Sequence, residues 1–118
     1  MTSGAAVRTV ESDDDISHVV LSGRLDIDGV GKVELPLTLA TVSQRKPVLL
    51  DMSGVEFLGS LGIGLLVRCA VSLQRMGARI VIYGCQPLVQ KSLETTKVNS
   101  VLPIAASEAA ALQLITQH

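Results

Sequence analysis

Apolar and polar positions change period along this chain, and the changes mark its elements. Residues 5–11 (Ala-Ala-Val-Arg-Thr-Val-Glu) alternate, predicting a half-exposed strand, and residues 16–22 (Ile-Ser-His-Val-Val-Leu-Ser) predict a more buried one. Asp13-Asp14-Asp15 supplies the turn between them and keeps the tip of a hairpin in water. Gly23-Arg24-Leu25-Asp26 ends the second strand. Ile27, Val30, Val33, Leu37 and Ala40 then recur every three or four residues, the spacing of an amphipathic helix over 27–42. Pro36 costs about 3 kcal/mol inside a helix, which predicts a kink there or a helix that starts in earnest near Glu34.

Residues 48–52 (Val-Leu-Leu-Asp-Met) form a short continuous apolar run, the pattern of a strand covered on both faces. Residues 53–58 read as a connection into Gly59-Ser60-Leu61-Gly62, where a long helix begins and runs to about Met76. Leu61, Leu65, Leu66, Cys69, Leu73 and Met76 fall on one broad face of it. Gly62 and Gly64 each sacrifice roughly 1 kcal/mol of helix propensity, tolerable where the backbone packs close to something. Gly77 is the expected residue just past the helix end. Residues 78–84 predict another strand, and Pro87 starts a helix over 88–95. A short extended segment at 101–104 and a last amphipathic helix opening at Ser107-Glu108 complete the order. The sequence β-β-α-β-α-β-α-(β)-α is that of an α/β domain with a mixed sheet and right-handed crossovers.

Composition narrows the partners. The chain has 118 residues, enough for one domain over 1–118 with residues 1–4 flexible. It is 47% hydrophobic with one Phe, one Tyr and no Trp, so its core is aliphatic. A net charge of −1 and two aromatics provide neither the basic face nor the stacking platforms that nucleic acid requires. Cys69 and Cys85 lack metal or redox spacing, and Cys69 on an apolar helix face reads as a small core residue. His18 reads as a half-exposed strand residue rather than a ligand. The N-terminus has no secretory pattern and no run is long enough to span a membrane, so a cytoplasmic protein without membrane insertion is expected.

Ser60 is the candidate chemistry. A serine opening a helix sits among unpaired N–H groups at the positive end of the dipole, where it caps, binds an anion or receives a phosphate. Asp26 or Asp28 caps the next helix, Asp26 alternatively stands beside Ser60 on a partner surface, and Asp51 at a strand end reads as structural. Gly54, Gly59 and Gly62 are expected to serve turn geometry and close approach. An enzyme is not expected. Leu58 stands where a nucleophile elbow needs glycine, and Gly59, Gly62 and Gly64 do not form a dinucleotide or P-loop motif. No cofactor or metal is implied.

Five stretches carry a family resemblance in chain order. Gly23-Arg24-Leu25-Asp26 is similar to a G-x-(L/I)-D opening. Residues 48–62 (Val-Leu-Leu-Asp-Met-Ser-Gly-Val-Glu-Phe-Leu-Gly-Ser-Leu-Gly) resemble a strand with D-(L/M)-S-x-V-x-F followed by D-S-(S/T)-G-(L/I)-G. Gly77-Ala78-Arg79-Ile80-Val81-Ile82, Pro87-Leu88-Val89 and Val101-Leu102-Pro103-Ile104 look like later landmarks of the same family, the STAS domains of bacterial anti-sigma factor antagonists. The resemblance implies one STAS-like α/β domain, with a mixed sheet of four to five strands packed by about four helices. It implies that Ser60 accepts phosphate from a serine protein kinase that is itself the anti-sigma factor, with a PP2C-like phosphatase reversing the step. Asp26, Gly59, Ser60, Leu61 and Gly62 would form the partner surface of a monomer or weak dimer. Gly59 stands where the family has Asp, and Leu61 where it has a second Ser or Thr. The alternative is a STAS accessory or scaffold subunit, never phosphorylated, of a stressosome-like or lipid-transport ABC complex.

Overall fold

The computed structural model describes residues 4–10 and 15–116. Most of the expected flexible N-terminus, and Asp13 and Asp14 of the expected hairpin tip, lie outside them. Five strands, β1 (Ala6–Val10), β2 (Ser17–Leu25), β3 (Val48–Leu58), β4 (Ile80–Tyr83) and β5 (Ile104–Ala105), lie side by side in chain order. β1 pairs antiparallel with β2, as the hairpin reading predicts, and every later pair is parallel. Neighbouring parallel strands in sequence order, joined by right-handed crossovers, put all the crossover helices on one face. That face carries α1 (Ile27–Ala40), α2 (Ser60–Arg75) and α3 (Pro87–Thr95).

Val19, Leu21, Leu25, Leu50, Met52 and Ile82 of the sheet meet Val33, Leu37, Leu66, Leu73 and Leu93 of these helices in the main core. Each fully buried aliphatic side chain contributes roughly 1.5–3 kcal/mol. Among the described residues the opposite face is covered by α4 (Glu108–Thr116) alone, where Ala111 and Ile115 pack on Leu49, Val81 and Tyr83. Ser107 opens α4 as predicted, its hydroxyl accepting the Ala110 N–H at 3.2 Å. Gly77 follows α2 at φ +78°, the left-handed conformation that ends a helix and suits glycine.

Four expectations change. β3 continues through residues 53–58 rather than stopping at Met52. Its buried positions beyond Met52 are Val55 and Leu58, spaced by three, because the β2–β3 ladder shifts register between Val20 and Ser22 and between Gly23 and Arg24. Such bulges break the alternation by which a strand is recognised. α1 starts at Ile27 and continues through Pro36. Pro36 is exposed, so the N–H it lacks is lost on the solvent side, while Val30, Val33 and Leu37 are buried against the core. Of the apolar face drawn for α2, Leu61 and Met76 are exposed. The last strand is only Ile104–Ala105, since residues 98–100 form a 3-10 turn.

Candidate partner-docking site

β3 is eleven residues long and β4 four, so the C-terminal half of β3 runs past β4 in company with β2 alone. The α1 and α2 N-termini rise from this projecting ribbon. The Gly59 N–H donates to the Leu25 carbonyl at 3.2 Å, fixing the end of β2 beside the start of α2. Asp26 is the N-cap of α1, its Oδ1 accepting the Gly29 N–H at 2.9 Å. The two readings of Asp26 are therefore compatible: it caps α1 and stands beside Ser60. Leu25, Asp26, Ile27, Phe57, Gly59, Ser60 and Leu61 line one depression of about 350 Å³.

Ser60 is exposed and is the first residue of α2. It is not the cap. Gly59 holds that position with φ −89° and no side-chain oxygen, so no side chain caps the α2 N–H groups. Nor does Gly59 need a glycine-only backbone; a Cβ there would lie 3.2 Å from the ring of Phe57, an exposed side chain that needs to give by only a few tenths of an ångström. Gly62 lies under the surface, where a Cβ would meet Leu58 Cδ1 at 2.7 Å and Leu25 Cβ at 3.0 Å. Its place in the site is to seat the first turn of α2 against the ribbon. Gly64 meets nothing closer than Arg68 Nη1 at 3.5 Å and has no such duty.

The rim of the depression is apolar and exposed: Ile27 76%, Leu61 54% and Phe57 40%. Phe57 also lines a second depression of about 390 Å³ against α3, next to Leu88. Ile27, Phe57 and Leu88 were not among the residues expected here. Ile27 keeps the 3.6-residue spacing of α1 and so reads as core, yet as the first residue of the helix it lies beyond the sheet. Arg24 was missed too. Its guanidinium sits 4.8 Å from the Phe57 ring centroid, and its Nε is 4.0 Å from Asp26 Oδ2.

The remaining chemical groups are elsewhere and structural. His18 Nε2 meets the Tyr83 hydroxyl, which donates to Glu108 Oε1 at 3.4 Å. Burial, then the Asp51 and Glu108 carboxylates, pushes the Tyr83 phenol well above its usual range. Asp51 accepts the Ser53 N–H at 2.9 Å, in keeping with a structural role. Cys69 is buried and Cys85 half-buried, both unpaired, and burial raises both thiols, Cys85 to about 11.

A single α/β domain with one parallel crossover layer, a lone helix behind and a serine at the exposed start of α2 defines the class. Residues 8–111 match the STAS domain family, and the chain belongs to it. It is 22% identical to an anti-sigma-B factor antagonist of Listeria monocytogenes over 84% of this chain and 87% of that one. An anti-sigma factor antagonist from Mycobacterium paratuberculosis superposes with a TM-score of 0.78 at 25% identity, covering 99% of this chain and 100% of the other. The Bacillus cell fate determinant SpoIIAA in its phosphorylated form has a TM-score of 0.67 at 17% identity, covering 92% and 99%. Among the described residues no helix is long and apolar enough to cross a membrane.

Proposed function

We propose that this STAS domain is an anti-sigma factor antagonist that works by partner switching. With Ser60 unmodified it docks on an anti-sigma factor that is also a serine kinase, in the cytoplasm; with Ser60 phosphorylated it lets go. The observation that carries the reading is an exposed hydroxyl ringed by the exposed apolar side chains of Ile27, Leu61 and Phe57. Apolar side chains held out in water around one polar group suit a surface that is covered by a partner. The named relatives act as antagonists of anti-sigma factors, which supports the same partner class here.

In the transfer, the Ser60 oxygen attacks the γ-phosphorus of ATP held by the partner. ADP leaves, and the hydroxyl proton passes to a base of the partner. This chain supplies the acceptor and performs no catalysis. The phosphate brings a charge of about −1.5 to −2 into the middle of the apolar rim, where docking would strip it of much of its water. A differential penalty of about 3 kcal/mol weakens docking roughly a hundredfold. A PP2C-like phosphatase would restore the hydroxyl. Leu61, in place of a second hydroxyl, extends the apolar rim and leaves one acceptor.

The test is mass spectrometry of the chain incubated with ATP and a candidate anti-sigma factor kinase from the same organism. Phosphate on Ser60, abolished by Ser60→Ala, is expected. Stable co-purification with a transporter ATPase, and no phosphorylated band in a phosphate-affinity gel under any growth condition, would instead favour a STAS accessory subunit.

A further inference from the structure

Arg24 lies over Phe57, one of the residues that line the depression with Ser60, and little holds it there. Its contact with Asp26 is at the 4.0 Å limit of an ion pair, and both side chains are about half exposed (50% and 41%), so water screens it. Its stacking on Phe57 is also at the surface, where a cation over a ring gains least. Asp26 cannot follow Arg24 elsewhere, because its other oxygen is committed to the Gly29 N–H. The bond from the Gly59 N–H to the Leu25 carbonyl joins the strand end that carries Arg24 to the helix start that carries Ser60. A planar guanidinium with several N–H donors pairs with phosphate in two-point fashion, more strongly than with a solvated carboxylate at its limit of reach.

We infer that a phosphate on Ser60 draws Arg24 away from Phe57 and Asp26 and pairs with it. The inference rests on the proposed role of Ser60 as phosphoacceptor. It adds that the switch acts within this chain as well as against the partner. The phosphate–Arg24 pair spans the depression and fills the place that an apolar partner group would take, while Phe57 loses its cover. Phosphorylation in this account rearranges the docking face and partly neutralises its own charge, so the modified domain keeps its fold.

The experiment uses the full chain with phosphoserine installed at position 60 during synthesis, so no kinase is needed. At the Ser60 end of the elements around it the charged groups are Arg24 of β2, Asp26 and Asp28 at the start of α1, and Glu56 of β3; Lys32 and Glu34 lie further along α1, Arg68 and Arg75 further along α2, Asp51 further back on β3, and Lys91 of α3 lines the neighbouring depression. Asp26, Asp28 and Glu56 all raise the second pKa of the phosphate, and the Arg24 cation lowers it. In a phosphorus-31 NMR titration, Arg24→Gln is expected to raise that pKa by about one pH unit relative to the parent phosphoprotein. Arg24→Lys, which keeps the charge, should return it toward the parent. In the parent, the Arg24 Nε–H resonance should move when phosphoserine replaces serine.

Equal phosphate titrations in the parent and Arg24→Gln chains, with Arg24 Nε–H unmoved, would overturn the inference. Failure of a kinase to modify Ser60 is a separate result. It would remove the proposed function and leave this titration standing as a statement about the two side chains.

Discussion

Two alanine substitutions two residues apart in one helix should move stability in opposite directions. Gly62 and Gly64 both lie in α2, and at each the change to alanine gains about 1 kcal/mol of helix propensity. At Gly64 the new methyl meets only the end of the mobile Arg68 side chain at 3.5 Å, so the gain should be kept nearly whole. At Gly62 it meets Leu58 Cδ1 at 2.7 Å, Leu25 Cβ at 3.0 Å and the Leu25 carbonyl oxygen at 3.3 Å. Leu58 can turn its methyl aside; Leu25 is fully buried and fixed in the β2–β3 ladder, so its Cβ and carbonyl cannot. Overpacking of this kind costs about 1–3 kcal/mol. Subtracting the propensity gain leaves Gly62→Ala destabilised by up to about 2 kcal/mol, with its worst contact under Ser60. Urea unfolding followed by circular dichroism should place Gly62→Ala below the parent and Gly64→Ala above it, with the slope unchanged. The melting temperatures should separate by several degrees in the same order. A Gly62→Ala midpoint at or above the parent would refute the argument that α2 is seated by close backbone approach.

Leu61→Ser should leave stability within about 0.5 kcal/mol, since the side chain is 54% exposed. It should weaken binding to the kinase partner about tenfold or more if Leu61 is a buried anchor in the complex, as calorimetry of the pair would read. Tyr83 is the only tyrosine, so absorbance of tyrosinate reports it alone. Its phenol is held protonated in the fold, chiefly by burial. The folded pKa lies above the unfolded one, near 10, so this contribution to stability is whole below about pH 10 and is lost as pH rises beyond it. Tyrosinate should therefore appear in the folded protein only well past the pH at which the urea-unfolded chain ionises. Cys69 and Cys85, with thiols raised by burial, should react with a thiol reagent at neutral pH only as the protein unfolds, whereas a fast stoichiometric reaction in the folded state would contradict their burial.

The sequence was most readable where one physical signal acted alone. The hairpin of β1 and β2, the long α2 and the Gly77 stop each follow from period, burial and a single punctuating residue. Where two signals competed, the pattern misled. Bulges reset the period of β3 at Val55 and Leu58, so a paired strand looked like a connection. Pro36 weighs against a helix by propensity, but its missing N–H faces solvent and the burial of Val33 and Leu37 prevails. Ile27 and Leu61 match helical spacing and sit outside the core, because they occupy first turns beyond the edge of the sheet. Period reports which side of a helix a residue is on, not how far along the helix the core extends. Asp26, Gly59, Ser60 and Leu61 were legible as a group through the resemblance. The Arg24–Phe57 pair was not, because the bulge after Gly23 decides that Arg24 stands opposite Phe57.

In the proposed switch, phosphate on Ser60 separates this chain from its partner. The most direct measurement is the affinity of the serine and phosphoserine-60 chains, titrated side by side into the anti-sigma factor kinase at physiological salt. A Kd about a hundredfold weaker for the phosphoserine chain, corresponding to about 3 kcal/mol, is the predicted result. Equal affinities for the two chains would contradict it.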